Sequence, residues 1–131
     1  MILVDTSAWV EFLRDTRTPA CHAVDQVLAE PMVAICDPIA MEVLAGARSE
    51  HHLTQLRRLL GRASVLPTTP VDYESAAALY RKCRVEGETV RRLIDCLIAA
   101  VAIRFDAAIL HADADFDVLA RHTSLRLHLA A

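Results

Sequence analysis

The chain has 131 residues, 54% of them hydrophobic, and a formal net charge of −3. That is ample material for one folded domain, 1–131, and excludes a disordered chain. The longest apolar run, CLIAAVAI at 96–103, falls far short of the roughly 20 residues needed to cross a membrane.

MILVDTS carries no basic region and meets Asp5 early, which argues against a signal peptide and for a cytoplasmic protein. Cys21, Cys36, Cys83 and Cys96 stand singly, without a CxxC pair, and read as buried thiols. The charge is unevenly spread. Residues 48–92 hold nine of the 14 basic residues against five acidic ones, a local +4 that leaves −7 for the remainder. Such a layout suits a protein that binds a cation at one place and an anion beside it.

In chain order, ILV (2–4) reads as a strand, followed by a helix over about 6–14. Thr18-Pro19 supplies a capping oxygen and a first-turn proline for a helix over 19–29. MVAI (32–35) is a second strand, and Asp37-Pro38 opens a helix over 38–48. The helix at 50–60 sets Leu53, Leu56, Leu59 and Leu60 on one face and stops at Gly61. SVL (64–66) is a third strand, and Thr69-Pro70 starts a helix over 70–86 that ends at Gly87. A helix over 89–105 contains CLIAAVAI, apolar all round and therefore buried. AIL (108–110) is a fourth strand, 114–121 a last helix and LRLHL (125–129) a fifth strand. Strands alternating with helices predict a mainly parallel sheet covered on both faces. Sites in such sheets lie outside the carboxyl ends of the strands, near a switch in strand order.

Acidic residues fall at those places. Asp5 ends the first strand, and Asp113 and Asp115 follow the fourth. Glu42 lies one turn into the helix after MVAI, among Ile39, Met41, Val43 and Leu44. Asp95 stands at the brim of the buried helix, where an unpaired charge would neutralise itself. It can pair with Arg91 or Arg92, at i−4 and i−3, or join the other acids around a cation. A calcium loop starting at Asp113 fails, because Val118 and Ser124 occupy the positions that need glycine and glutamate. Capping fits Asp113 or Asp115 but leaves Asp5, Glu42 and Asp95 unexplained. A shared divalent-cation site accounts for all of them, with Asp117 a solvated helix residue.

ILVDTSAWVEFL, PIAMEVLAG, GETVRRLIDCLIAA and HADADFDVL together resemble the four acidic blocks of the PIN domain, and more closely those of VapC-type ribonuclease toxins. The likeness runs from residue 2 to about residue 120. It implies a three-layer α/β/α sandwich with a central, mainly parallel sheet of about five strands. It also implies endonucleolytic hydrolysis of RNA with Mg²⁺ or Mn²⁺, leaving 5′-phosphate and 3′-hydroxyl ends. The resemblance carries over Asp5, Glu42, Asp95 and Asp113 as the acidic set, with Asp115 a further or water-mediated ligand. Thr6 and Ser7 would orient a ligand or cap the first helix. It further implies a transfer RNA substrate, a VapB-type antitoxin and homodimerisation. Arg81, Arg84, Arg91 and Arg92, with Arg57, Arg58 and Arg62, are the candidates for gripping the RNA backbone. His111, His51 and His52 are weaker candidates for contact with substrate.

Two other readings stay open. A PIN fold kept as an RNA- or protein-binding scaffold would have lost an acid, and here none is missing. A receiver-like phosphoryl-transfer domain would want a lysine near its last strands, whereas the lone lysine, Lys82, sits on a mid-chain helix.

Overall fold

Strand β1 (Ile2–Val4) lies inside a four-stranded parallel sheet of order β3-β2-β1-β4, with β2 (Val33–Cys36), β3 (Ser64–Leu66) and β4 (Ala108–Leu110). The computed structural model describes residues 1–129. Ile2 pairs with Val33 on one side and Ala108 on the other, and Leu3 with Ala34 and Ile109. Every residue of β1, β2 and β4 is buried, whereas β3 buries only Leu66. Short, wholly apolar strands of this kind suit a parallel sheet with helices on both faces.

Helices α1 (Thr6–Leu13) and α2 (Pro19–Leu28) connect β1 to β2, and α3 (Asp37–Ala45) and α4 (Glu50–Leu60) connect β2 to β3. Helices α5 (Pro70–Val85) and α6 (Leu93–Arg104) lead from β3 to β4, and α7 (Ala114–His122) follows. The chain thus steps outward from β1 to β3 and then returns past β1 to β4. Because parallel crossovers are right-handed, that reversal puts α5 and α6 on the face opposite α1–α4. The packing agrees: α1 rests on α2 and α3, α3 on α4, and α5 on α6 and α7. The order reverses between β1 and β4, and the crevice at their carboxyl ends is where a site belongs.

The capping signals act as their chemistry dictates. Thr18 accepts from the Cys21 amide and Ser49 from the His52 amide, while Thr69 and Asp72 close a reciprocal box at the start of α5. Gly87, just past α5, takes a φ of 94°, which a side chain would resist. Residues 95–102 of α6 are all buried, as an all-round apolar helix requires. The core runs as one cluster from Ile2 to Leu125, with Trp9, Ile98 and Phe116 fully enclosed. The four cysteines are buried and unpaired.

Three elements differ from expectation. The helix expected over 38–48 stops at Ala45, with Gly46 as its cap. The helix expected over 89–105 begins only at Leu93, because the Arg91 and Arg92 amides donate to the Asp115 carboxylate instead of joining a helix. The fifth strand, 125–129, is reduced to one parallel bridge between Leu127 and Ile109. Strand β4 is only three residues long and offers too short an edge for a longer ladder.

Arg104 closes α6 on α5 by gripping both oxygens of Asp72, at 2.8 and 2.9 Å. Asp72 is 1% exposed, so Arg104→Ala strands a buried carboxylate. The expected loss is about 2–3 kcal/mol in urea denaturation, at the low end for a buried pair because Arg104 itself is partly solvated.

Candidate active site

Strand β1 delivers Asp5 to the crevice. Its amide donates to the Leu110 carbonyl at 2.9 Å, fixing the end of β1 to the end of β4. Asp5 is also the N-cap of α1: its Oδ2 accepts from the Ser7 amide at 2.9 Å and from Ser7 Oγ at 2.6 Å. Ser7 Oγ in turn accepts from the Ala112 amide at 2.9 Å, so one hydroxyl ties the β1–α1 corner to the β4–α7 corner. The other oxygen of Asp5, Oδ1, is buried and has no hydrogen-bond partner. A buried, unsatisfied carboxylate oxygen is costly and calls for a ligand. Burial, opposed by the bonds from Ser7, holds the Asp5 carboxyl above its ordinary pKa.

Glu42 faces the same crevice from α3. Thr6 Oγ1 donates to its Oε1 at 2.8 Å, so Thr6 orients Glu42 and the capping of α1 falls to Asp5. The remaining acids gather on the α6–α7 side. Carboxylate oxygens of Asp95, Asp113 and Asp115 lie within 4.8 Å of one another, close enough to share one metal ion. Asp95 is completely buried in the first turn of α6, and Asp113 caps α7 by accepting from the Asp115 amide at 2.9 Å. Asp117 points away and is exposed, 3.6 Å from His111 Nε2. The acids therefore form two adjoining groups, Asp5 with Glu42 and Asp95 with Asp113 and Asp115.

Arg91 and Arg92 supply the compensating charge. Arg91 lies 2.6 Å from Asp113 and 3.2 Å from Asp115, while its amide and that of Arg92 donate to Asp115. Arg92 is 3.1 Å from Asp95, 3.5 Å from Asp113 and 3.7 Å from Glu42. So Asp95 both pairs with Arg92 and joins the acidic group. Sequence reasoning had these two arginines only as RNA contacts or a partner for Asp95; Arg-Arg-x-x-Asp was the available signal for the wider role. Arg81 and Arg84 stand exposed on α5, without a carboxylate partner among the described residues. Arg84 lies over the Tyr80 ring at 5.6 Å. His111 is occupied, its Nδ1 accepting from the Asp113 amide at 3.1 Å.

The electrostatics follow from this layout. Burial, aided by the hydrogen bond with Asp115 and offset in part by Arg92, pushes Asp95 up to about 8. Burial works to raise Asp115 too, but the Asp95 hydrogen bond and the Arg91 amide and guanidinium hold it below its ordinary value. The two shifts run in opposite directions, so Asp95 is the acid of the group that holds a proton most readily. The donor set consists of carboxylates alone, the chemistry preferred by hard divalent ions such as Mg²⁺ and Mn²⁺. Together with the orphaned Asp5 oxygen, it fits such an ion. Asp95, Asp113 and Asp115 would hold it, with Asp5 beside them.

Residues 2–122 match the family model for the PIN domain. The chain is 50% identical over 129 residues to ribonuclease VapC11 of Mycobacterium tuberculosis, covering 96% of each. Its fold is similar to VapBC2 from Rickettsia felis bound to a promoter DNA fragment, with a TM-score of 0.77, 19% identity and 98% of each chain covered. It is also similar to Mycobacterium tuberculosis VapC20, described as a sarcin–ricin loop cleaving toxin, with a TM-score of 0.68, 20% identity and coverage of 96% and 99%.

Asp95 makes stability depend on pH. Its pKa is about 8 in the folded chain against an ordinary 3.8, so the folded state binds that proton more tightly than the unfolded state. Its contribution to stability is full below the lower value and is lost as pH rises through the higher one. Without divalent ions, the Asp95 contribution should lower the melting temperature progressively from about pH 4 to about pH 8 and leave it level above that, and Asp95→Asn should remove most of that fall. Calorimetry across this range measures it.

Proposed function

This chain belongs to the PIN-domain family, among its VapC ribonucleases, and from that premise we propose that it is a Mg²⁺- or Mn²⁺-dependent endoribonuclease toxin acting on transfer RNA. The observation that carries the metal dependence is the meeting of Asp95, Asp113 and Asp115 within 4.8 Å, beside a buried Asp5 oxygen without a partner. A divalent ion bound there would polarise a phosphoryl oxygen and acidify water. Glu42, held by Thr6 and only partly buried, would accept the proton of an attacking water. Asp95 must give up its proton before it can serve as a ligand, so metal affinity should rise with pH.

Water as nucleophile gives 5′-phosphate and 3′-hydroxyl ends. The alternative, attack by the ribose 2′-hydroxyl, needs a free base, and the histidines do not offer one at the crevice. His111 spends Nδ1 on Asp113, and His52 spends Nδ1 on the Arg48 amide. Arg81 and Arg84 would hold the RNA backbone from α5, with Arg91 and Arg92 nearest the scissile phosphate, and affinity would fall as salt rises.

A VapB-type antitoxin is the proposed partner. A groove of about 240 Å³ opens beside Thr6 and Glu42, with Val10, Leu13, Val43 and Leu56 along it. It would take an apolar helix face whose following arm reaches the acids. Self-association would use α5 and α6, where Val71, Tyr73 and Leu93 are each more than 60% exposed beside a groove of about 330 Å³. No helix among the described residues is long and apolar enough to cross a membrane.

Mapping the 5′ ends of total RNA after incubation with the protein tests the activity. Cutting should occur in Mg²⁺, vanish with EDTA, and fall at least about a hundredfold in Asp5→Asn, with ligatable 5′-phosphates. Equal cutting in all three would refute metal-dependent hydrolysis. The same map separates transfer RNA from the ribosomal RNA suggested by VapC20. Leu93→Lys should shift the light-scattering mass to that of a monomer.

A further inference from the structure

Arg92 is the N-cap of α6, and its backbone is fixed by the hydrogen bond that its amide donates to Asp115 Oδ2 at 3.2 Å. From that anchor its guanidinium reaches carboxylates on three elements: Glu42 on α3, Asp95 on α6 and Asp113 at the start of α7. Among the described residues it is the one cation touching both groups of acids, since Arg91 meets only Asp113 and Asp115. Its contact with Asp95 is bidentate but long, at 3.1 and 3.4 Å, and those with Asp113 and Glu42 are longer still. These are distances at which a charge is neutralised, not ones at which a planar fork is locked. The Arg92 side chain is 47% exposed while Asp95 is 0% exposed, so the guanidinium enters from the rim and can leave without unpacking the core.

We propose that Arg92 is a displaceable counter-ion: it neutralises the carboxylates in the metal-free protein, yields them to a divalent cation, and then turns its guanidinium to the phosphate of the RNA. This rests on the reading that the crevice takes such a cation. A divalent ion is attracted to the same oxygens of Asp95 and Asp113 and repels a guanidinium held there. The two therefore compete. The released arginine stays tethered at the N-terminus of α6, where an anion is also favoured by the helix. Loading with metal would thus expose the group that binds substrate, and metal binding and RNA binding would support each other.

Mn²⁺ binding by paramagnetic resonance and melting with and without saturating Mn²⁺ test the proposal in the parent, Arg92→Gln and a remote control, Arg121→Gln, which loosens only the surface pair with Glu88. Arg92→Gln should melt lower than the parent without metal and level with it in Mn²⁺. It should also bind Mn²⁺ about tenfold more tightly, a change of about 1.4 kcal/mol. Arg121→Gln should move both melting points alike and leave the Mn²⁺ affinity unchanged. Cleavage by Arg92→Gln should show a raised KM with kcat little changed, and Arg92→Lys, which keeps a charge on a shorter reach, should recover part of the KM. If Arg92→Gln does not fold without metal, Arg92→Lys carries the affinity measurement, with a smaller gain in the same direction. Equal destabilisation with and without Mn²⁺, together with unchanged or weaker Mn²⁺ binding, would make Arg92 a structural ion pair and overturn the proposal. A parent that binds no Mn²⁺ would overturn the metal reading itself, and this inference with it.

Discussion

Five carboxylates meet where β1 and β4 end, and their mutual repulsion is the constraint around which the molecule is arranged. Like charges at such spacing cost several kcal/mol in a partly screened site, comparable to a large part of the stability of a domain this size. The fold meets that cost in three ways. Backbone amides of Ser7, Arg91, Arg92 and Asp115 are spent on carboxylate oxygens. Burial raises the proton affinity of Asp95, whose pKa is pushed up to about 8. Two guanidinium groups approach from the solvent side. What these devices leave uncompensated is the buried Asp5 Oδ1, the place where a divalent ion would complete the set.

The backbone architecture follows from the same place. Asp5 is at once the end of a strand, the cap of a helix and a member of the acidic group, so a single side chain links sheet register, helix start and chemistry. Ser7 extends that link to the β4–α7 corner through its hydroxyl. These short bonds hold the two strand ends together, and the Arg91 and Arg92 amides tie the segment before α6 to the same corner through Asp115. A cavity of about 540 Å³ beside Asp72, Lys82 and Arg104 lies between α5 and the later turns of α6 and contains none of the crevice acids.

Much of this was legible from residue order alone. Apolar triplets followed by an acid marked Asp5 and Asp113, because a carboxylate at the end of a buried strand needs partners that the strand itself does not supply. Asp95 ahead of an all-apolar helix, and Glu42 among apolar neighbours, are acids that solvent alone does not explain. The conformation of residues 89–92 was not legible. Helical propensity favours continuing α6 backwards, and only the distant Asp115 carboxylate draws those amides away. Nor was the brevity of the fifth strand, since the alternation in LRLHL is sound and the limit lies in the three-residue edge it meets. The division of the acids into two groups bridged by Arg92 is likewise a property of packing, beyond the reach of spacing.

The strand order also bears on how such a molecule is made. Its central strand, β1, is synthesised first, yet one edge of it stays open until β4 arrives more than a hundred residues later. A chain synthesised as far as α4 therefore possesses Asp5 and Glu42 but none of Asp95, Asp113 and Asp115. Closure of the sheet and completion of the acidic group are thus one late event in the making of the fold.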